Sequence, residues 1–195
     1  MAASVTELIL ASASPRREAL LKQAGISGFR IVAPDIDETP KRDELPRAYA
    51  ARMAAQKAMT AVRTLGAAEN ALVLAADTVV ALGRRILPKA ESPAEVERCL
   101  RLLSGRRHQV MTALAVAAPG KKLRTRTVTT RVAFKVLTDA EIAAYLASGE
   151  GIGKAGGYAI QGRAEAFVRF INGSYSNVVG LPLAETLAML NGAVS

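Results

Sequence analysis

The stretch SASPRR, Ser12 to Arg17, gathers a hydroxyl, the free backbone N–H groups of a helix start and two guanidinium groups, Arg16 and Arg17. Together these donors suit an oxyanion or a phosphate group. Alone, the stretch also describes an ordinary capped helix with solvated arginines, so its weight depends on what accompanies it. Two further cations do: Lys57 falls four and eight residues after Met53 and Tyr49, on a helix face that otherwise reads as buried, and Lys89 follows the strand-like RRIL. Carboxylates gather as well. Asp35, Asp37 and Glu38 share one polar loop, and Asp77 is the only charge in the apolar run LVLAADTVVAL, with Thr78 beside it.

An isolated buried carboxylate costs several kcal/mol, so Asp77 must meet a cation, meet donors or hold a proton. The run crosses the core as one strand, or it ends near Asp77 and restarts after a kink, which would put the carboxylate at a strand end where α/β proteins place ligands. An Asp that merely caps a turn is the weaker reading, because the first Gly comes only at Gly83. Cations with a few separated carboxylates are what metal-assisted attack on a polyphosphate requires: the cations hold phosphate oxygens, while the carboxylates hold Mg²⁺ and orient water.

Other motifs carry less. GIGKAG, Gly151 to Gly156, matches a dinucleotide-binding fingerprint in letters but follows a helix late in the chain, where that fingerprint must follow a strand and open a helix. A phosphate P-loop fails too, since Ala155 stands after Lys154 where Ser or Thr is needed. A mobile loop is the plain reading, although glycines beside a lysine can close over an anion. His108, the single histidine, has no Ser or Cys set around it and reads as a polar residue at a strand start. Cys99 shares a helix face with Val96, Leu100 and Leu103 and reads as core.

The elements that must position these residues are marked by local grammar. Thr6 to Ser12 reads as a strand, followed by a helix with Ser14 as N-cap, Pro15 at its first position and Gly25 at its end. Phe29 to Pro34 is a second strand, and a long helix runs from about Pro46 to Leu65. Ser92, Pro93 and Gly105 bound another helix, and Thr138 with Glu141 forms a capping box for the next. HQVMTALAVAA and LRTRTVTTRVAFKV form an antiparallel pair turning at Pro119 to Lys122; AFVRFI is a late strand and LPLAETLAMLNG a last helix. Helices alternating with strands, then a β-hairpin, predict an α/β fold with a mixed sheet.

At 195 residues, with 50% hydrophobic and 22% charged residues, the chain fits one globular domain, 1–195. No apolar stretch reaches the ~18 residues of a membrane span, and the start lacks a secretory pattern, so a cytoplasmic setting is expected. One cysteine excludes an internal disulfide and a cysteine-rich metal cluster. The net charge of +9 attracts polyanions, but aromatics at 4% and no Trp weaken a base-stacking surface, so nucleic acid is not the expected partner.

Taken in order, LASASPRREALL, DIDET, AADTVV, ILPKA, LSGRRHQVMT, KAGGYAIQG and INGSYSNVVGLPL resemble the Maf family, or septum formation proteins, which are nucleoside triphosphate pyrophosphatases. The resemblance implies an elongated, two-lobed α/β fold related to the inosine triphosphate pyrophosphatases, with a central cleft and assembly as a homodimer. It implies that Ser12, Arg16, Arg17, Lys57 and Lys89 contact phosphates, that Thr78 and Gln161 belong to the substrate site, and that Glu38 and Asp77 bind a divalent cation, Mg²⁺ or Mn²⁺. Asp77 is then also the base that activates water. ADTVV with KAGGYAIQG is similar to the branch acting on dTTP and UTP; the alternatives are the 7-methyl-GTP branch and a non-enzymatic nucleic-acid-binding or division-regulating protein. Two departures stand out: ILPKA in place of Gly-Lys-Pro around Lys89, and Thr112-Ala113 in place of Thr-Gly.

Overall fold

The computed structural model describes residues 7–65 and 70–194. Thr6, at the start of the first expected strand, lies outside them. Two helices begin where the sequence supplies caps: Ser92 accepts from the Glu95 N–H ahead of a helix at Pro93–Leu103, and Thr138 with Glu141 completes the capping box of Asp139–Ser148. The helix at Pro15–Gln23 begins differently. Ser14 takes the cap position in an extended conformation, but its side chain makes no capping bond, and its own N–H donates to the Ser12 hydroxyl at 3.2 Å.

In chain order the elements are β1 (Glu7–Ala11), α1 (Pro15–Gln23), β2 (Arg30–Val32), α2 (Pro46–Leu65), β3 (Ala71–Leu82), β4 (Arg85–Leu87), β5 (Lys89–Ala90), α3 (Pro93–Leu103), β6 (Arg107–Ala117), β7 (Arg124–Phe134), α4 (Asp139–Ser148), β8 (Lys154–Ala155), β9 (Val168–Asn172), α5 (Tyr175–Val179) and α6 (Leu183–Val194). The sheet is mixed, as expected. β1 lies parallel between β2 and β3, and β3, β6, β7 and β9 follow antiparallel, with β4 folded back on the end of β3. β5 and β8 form a separate two-stranded piece. The late strand starts at Val168 rather than Ala166, because Arg163–Phe167 winds into a 3₁₀ turn first.

β3 is one unbroken strand of 12 residues, so the kinked alternative is not adopted. β6 runs beside it from Val73 opposite Ala117 to Ala81 opposite Gln109, and this continuous ladder carries Asp77 in mid-strand. Strand alternation then does the positioning. Val73, Ala75 and Val79 face α2, packing with Ala50, Ala54, Ala58 and Ala61, so Asp77 turns toward α2 as well. Leu72, Leu74, Ala76 and Val80 face the larger core built with α1, α3 and the C-terminal elements, so Thr78 turns that way. Alanines on both α2 and the sheet let helix and sheet approach closely, which brings Lys57 within reach of β3.

Candidate active site

Lys57 sits on the buried face of α2, one turn after Met53, and its Nζ lies 2.6 Å from Asp77 Oδ1 and 2.7 Å from Glu38 Oε1. One ammonium therefore answers the carboxylate that the apolar run buries, and ties it to the loop before α2. Lys89, at the start of β5, reaches the other Glu38 oxygen at 2.6 Å. Burial alone would raise the Glu38 carboxyl, but the hydrogen bonds and charges of Lys57 and Lys89 outweigh it and hold the pKa at about 2. Tyr49, on the same helix, donates its hydroxyl to the Glu38 backbone carbonyl at 2.7 Å and steadies the loop.

On the other sheet face Arg17 is buried, and each of its three nitrogens makes a hydrogen bond. Nε donates to the Gly180 carbonyl at 2.9 Å, Nη1 to Ser12 Oγ at 2.9 Å and Nη2 to Thr78 Oγ1 at 3.2 Å. Thr112 Oγ1 donates to the Asn177 carbonyl, so in the 2.9 Å contact between the two threonines it is Thr78 that donates. The order Arg17 to Thr78 to Thr112 to Asn177 follows. Thr78 has spent its proton and turns a lone pair to the cleft, whereas the Ser12 hydroxyl accepts from Arg17 and from the Ser14 N–H and keeps its proton to give.

The nine residues that the family resemblance assigns to the site line one cleft of about 350 Å³: Ser12, Arg16 and Arg17 near the start of α1, Lys57, Asp77 and Thr78 from α2 and β3, Glu38 from the loop before α2, Lys89 from β5, and Gln161 after β8, whereas Asp35 and Asp37 of the same loop as Glu38 are not in its lining. The structure adds Lys154, which the GIGKAG motif carries, to the same wall. The loop around it is not loose. Gly153 N–H bonds the Ala90 carbonyl at 2.7 Å and Gly156 N–H the Pro88 carbonyl at 3.1 Å, and β8 pairs with β5. Thr112, Asn177 and the Gly180 carbonyl escaped sequence reading, since nothing local distinguishes a buried relay threonine from a packing one.

Five cations and two carboxylates around one cleft leave it strongly positive, a place for a polyanion. Glu38 and Asp77 are hard oxygen donors brought to a single point, and among the described residues no third His, Cys, Asp or Glu joins them in a metal-binding group. That set fits Mg²⁺ or Mn²⁺, ions that take one or two carboxylates and complete their shell with water and substrate phosphate. His108 takes no part: it is buried, with Nε2 at 2.8 Å from the Tyr158 hydroxyl. Cys99 is core, as expected.

The fold and site together define a mixed α/β protein with a cationic, carboxylate-bearing cleft. Comparison with known proteins then places it. A family model described as Maf-like protein matches residues 7–193, and the chain belongs to that family. It is 58% identical to the dTTP/UTP pyrophosphatase of Sphingopyxis alaskensis over 94% of this chain and 95% of that one, and 56% identical to the dTTP/UTP pyrophosphatase of Caulobacter vibrioides over 95% and 94%. Among solved structures it aligns with a nucleoside-triphosphatase, or dITP/XTP pyrophosphatase, from Mycobacterium abscessus at 20% identity and a TM-score of 0.43, over 66% of this chain and 74% of that one.

Proposed function

We propose that this chain hydrolyses dTTP and UTP to the nucleoside monophosphate and pyrophosphate. The observation that carries the reading is Asp77, a mid-strand carboxylate held by Lys57 inside a cleft lined with cations. The choice of dTTP and UTP rests on the names of relatives that share more than half of its residues.

Asp77 is the base. Its Oδ1 is taken by Lys57, which fixes the carboxylate in place, so Oδ2 receives the proton of the attacking water. The water oxygen bonds to the α-phosphorus, the bond to the bridging oxygen breaks, and pyrophosphate leaves with the electron pair. Ser12 donates its free hydroxyl proton to a phosphate oxygen, Arg17 holds Ser12 and Thr78 in place, and Gln161 stands at the exposed rim for the nucleoside. Glu38 and Asp77 are the residues that would hold Mg²⁺ or Mn²⁺, which when bound neutralises phosphate charge and polarises the phosphoryl group. The family resemblance carries two more readings, a cleft lying between two lobes and assembly as a homodimer; mass measurement in solution tests the second.

The test is turnover of dTTP, UTP, CTP, GTP and 7-methyl-GTP with Mg²⁺ or Mn²⁺, resolving pyrophosphate from phosphate, with Asp77→Asn alongside. Pyrophosphate from dTTP and UTP is expected, with turnover lowered on the order of 10²-fold or more in the variant. The variant stays folded, because Lys57 keeps Glu38 as its partner. Unchanged turnover in a folded Asp77→Asn protein removes Asp77 from the chemistry, and pyrophosphate from 7-methyl-GTP alone overturns the substrate assignment.

A further inference from the structure

The five cations of the cleft fall into two groups by what they touch. Lys57 and Lys89 are ion-paired to Asp77 and Glu38, and Arg17 spends its nitrogens on Gly180, Ser12 and Thr78. Arg16 and Lys154 have no ion pair among the described residues. Arg16 makes no side-chain hydrogen bond there either, and Lys154 Nζ has only the Ile152 carbonyl of its own loop, at 3.2 Å. Yet both line the cleft, Arg16 from the first turn of α1 and Lys154 from β8.

These two charges are partly withdrawn from water and close enough to repel. Burial lowers the Lys154 pKa, and the Arg16 charge lowers it further. Two like charges in such a place, with no counter-ion, are stabilised by an anion that binds both. The anion's position follows from the other half of the site. Phosphate oxygens near Glu38 and Asp77 meet carboxylates whose charge Lys57 and Lys89 offset, which suits the single α-phosphate under attack. The β- and γ-phosphates carry most of the negative charge and are better placed where cations are not already cancelled.

Building on the proposed function, we infer that Arg16 and Lys154 form the seat of the leaving pyrophosphate. When the bond between the α-phosphorus and the bridging oxygen breaks, the electron pair stays on pyrophosphate, and the growing charge on that oxygen is met by the two free cations. The mini-sheet of β5 and β8 sets Lys154 diagonally across from Lys89, so one small element carries a lysine for each end of the triphosphate. The GIGKAG glycines thus serve phosphate binding without forming a nucleotide-binding helix start.

The experiment is calorimetric binding of inorganic pyrophosphate to the whole chain with Mg²⁺, comparing wild type, Lys154→Met and Lys154→Arg, followed by product inhibition of dTTP hydrolysis by pyrophosphate and by dTMP. Lys154→Met is expected to weaken pyrophosphate about tenfold or more and to leave dTMP inhibition unchanged, with Lys154→Arg restoring most of the affinity. Unaltered pyrophosphate affinity in a folded Lys154→Met protein overturns the seat, as does an equal loss for dTMP, which would mark general damage to the cleft. Because pyrophosphate binding is read without turnover, wild type that binds it yet leaves dTTP intact sinks the functional reading and spares the seat.

Discussion

His108 turns its ring into the core, edge-on against Phe134 and Tyr158, with Nε2 hydrogen-bonded to the Tyr158 hydroxyl and Nδ1 without a partner among the described residues. Buried this way and facing no carboxylate among the described residues, the ring is neutral, and a single proton is shared in the bond between Nε2 and the Tyr158 hydroxyl. Burial depresses its pKa from 6.5 to about 4. Above pH 6.5 neither the folded nor the unfolded chain protonates it, and stability is full. Between 6.5 and 4 the unfolded chain takes a proton that the folded one refuses, so stability falls as pH falls, by up to about 3 kcal/mol, and levels off below. Glu38, whose carboxyl is held at about 2, contributes in a lower window, from its ordinary 4.5 downward. Urea titrations of His108→Gln across this range should lose the slope between pH 6.5 and 4 and keep the one below it; an unchanged upper slope assigns it to another group. Asp77 and Lys57 were legible in the sequence because a charge on an apolar face demands a partner. That one ammonium serves both Asp77 and Glu38 was not, since the path of the loop between Glu38 and α2 decides it.

At the scale of elements, the piece formed by β5 and β8 depends on glycines at two different levels of constraint. Gly156 has φ +67° and would place a Cβ 2.7 Å from Val80 Cγ1 on β3, whereas Gly153, with φ +69°, has nothing within 4 Å. Gly153→Ala therefore carries only the left-handed penalty, about 1–2 kcal/mol, while Gly156→Ala adds a clash with a strand of the main sheet and should cost about 2–4 kcal/mol. Denaturant unfolding of both variants measures the difference, and equal losses would show that Val80 gives way. Caps and periodicity made the helices and long strands legible: Ser92, the Thr138–Glu141 box and the β6–β7 hairpin all stand where their residues put them. The short elements were not, because two-residue strands such as β5 and β8 have no period to read, and Ser14 holds the cap position without lending its hydroxyl to it while its N–H goes to Ser12. For the same reason the Lys154 loop looked mobile until its carbonyl partners on β5 and beside it were in view.

At the scale of the whole molecule, the charge of +9 is unevenly spread: between Glu97 and Asp139 the chain carries ten Lys and Arg and no acid. Much of that block lies on the exposed hairpin, where Lys121, Lys122 and Arg126 are solvent-facing and outside the cleft. Such charges cannot touch the substrate, but they add to a field that draws a triphosphate in, and salt screens that field over about 10 Å at roughly 0.1 M. Steering acts on arrival, so kcat/KM for dTTP should fall several-fold as KCl rises from roughly 20 to 500 mM at fixed Mg²⁺, while kcat stays nearly level. A variant with Lys121, Lys122 and Arg126 all changed to Gln separates the field of the molecule from the contacts of the cleft. Its kcat/KM should lie below wild type at low salt and converge with it at high salt, since screening removes what the substitutions removed. Parallel curves offset at every salt would mean that the hairpin acts through structure, and identical curves would mean that the five cations lining the cleft supply the whole attraction.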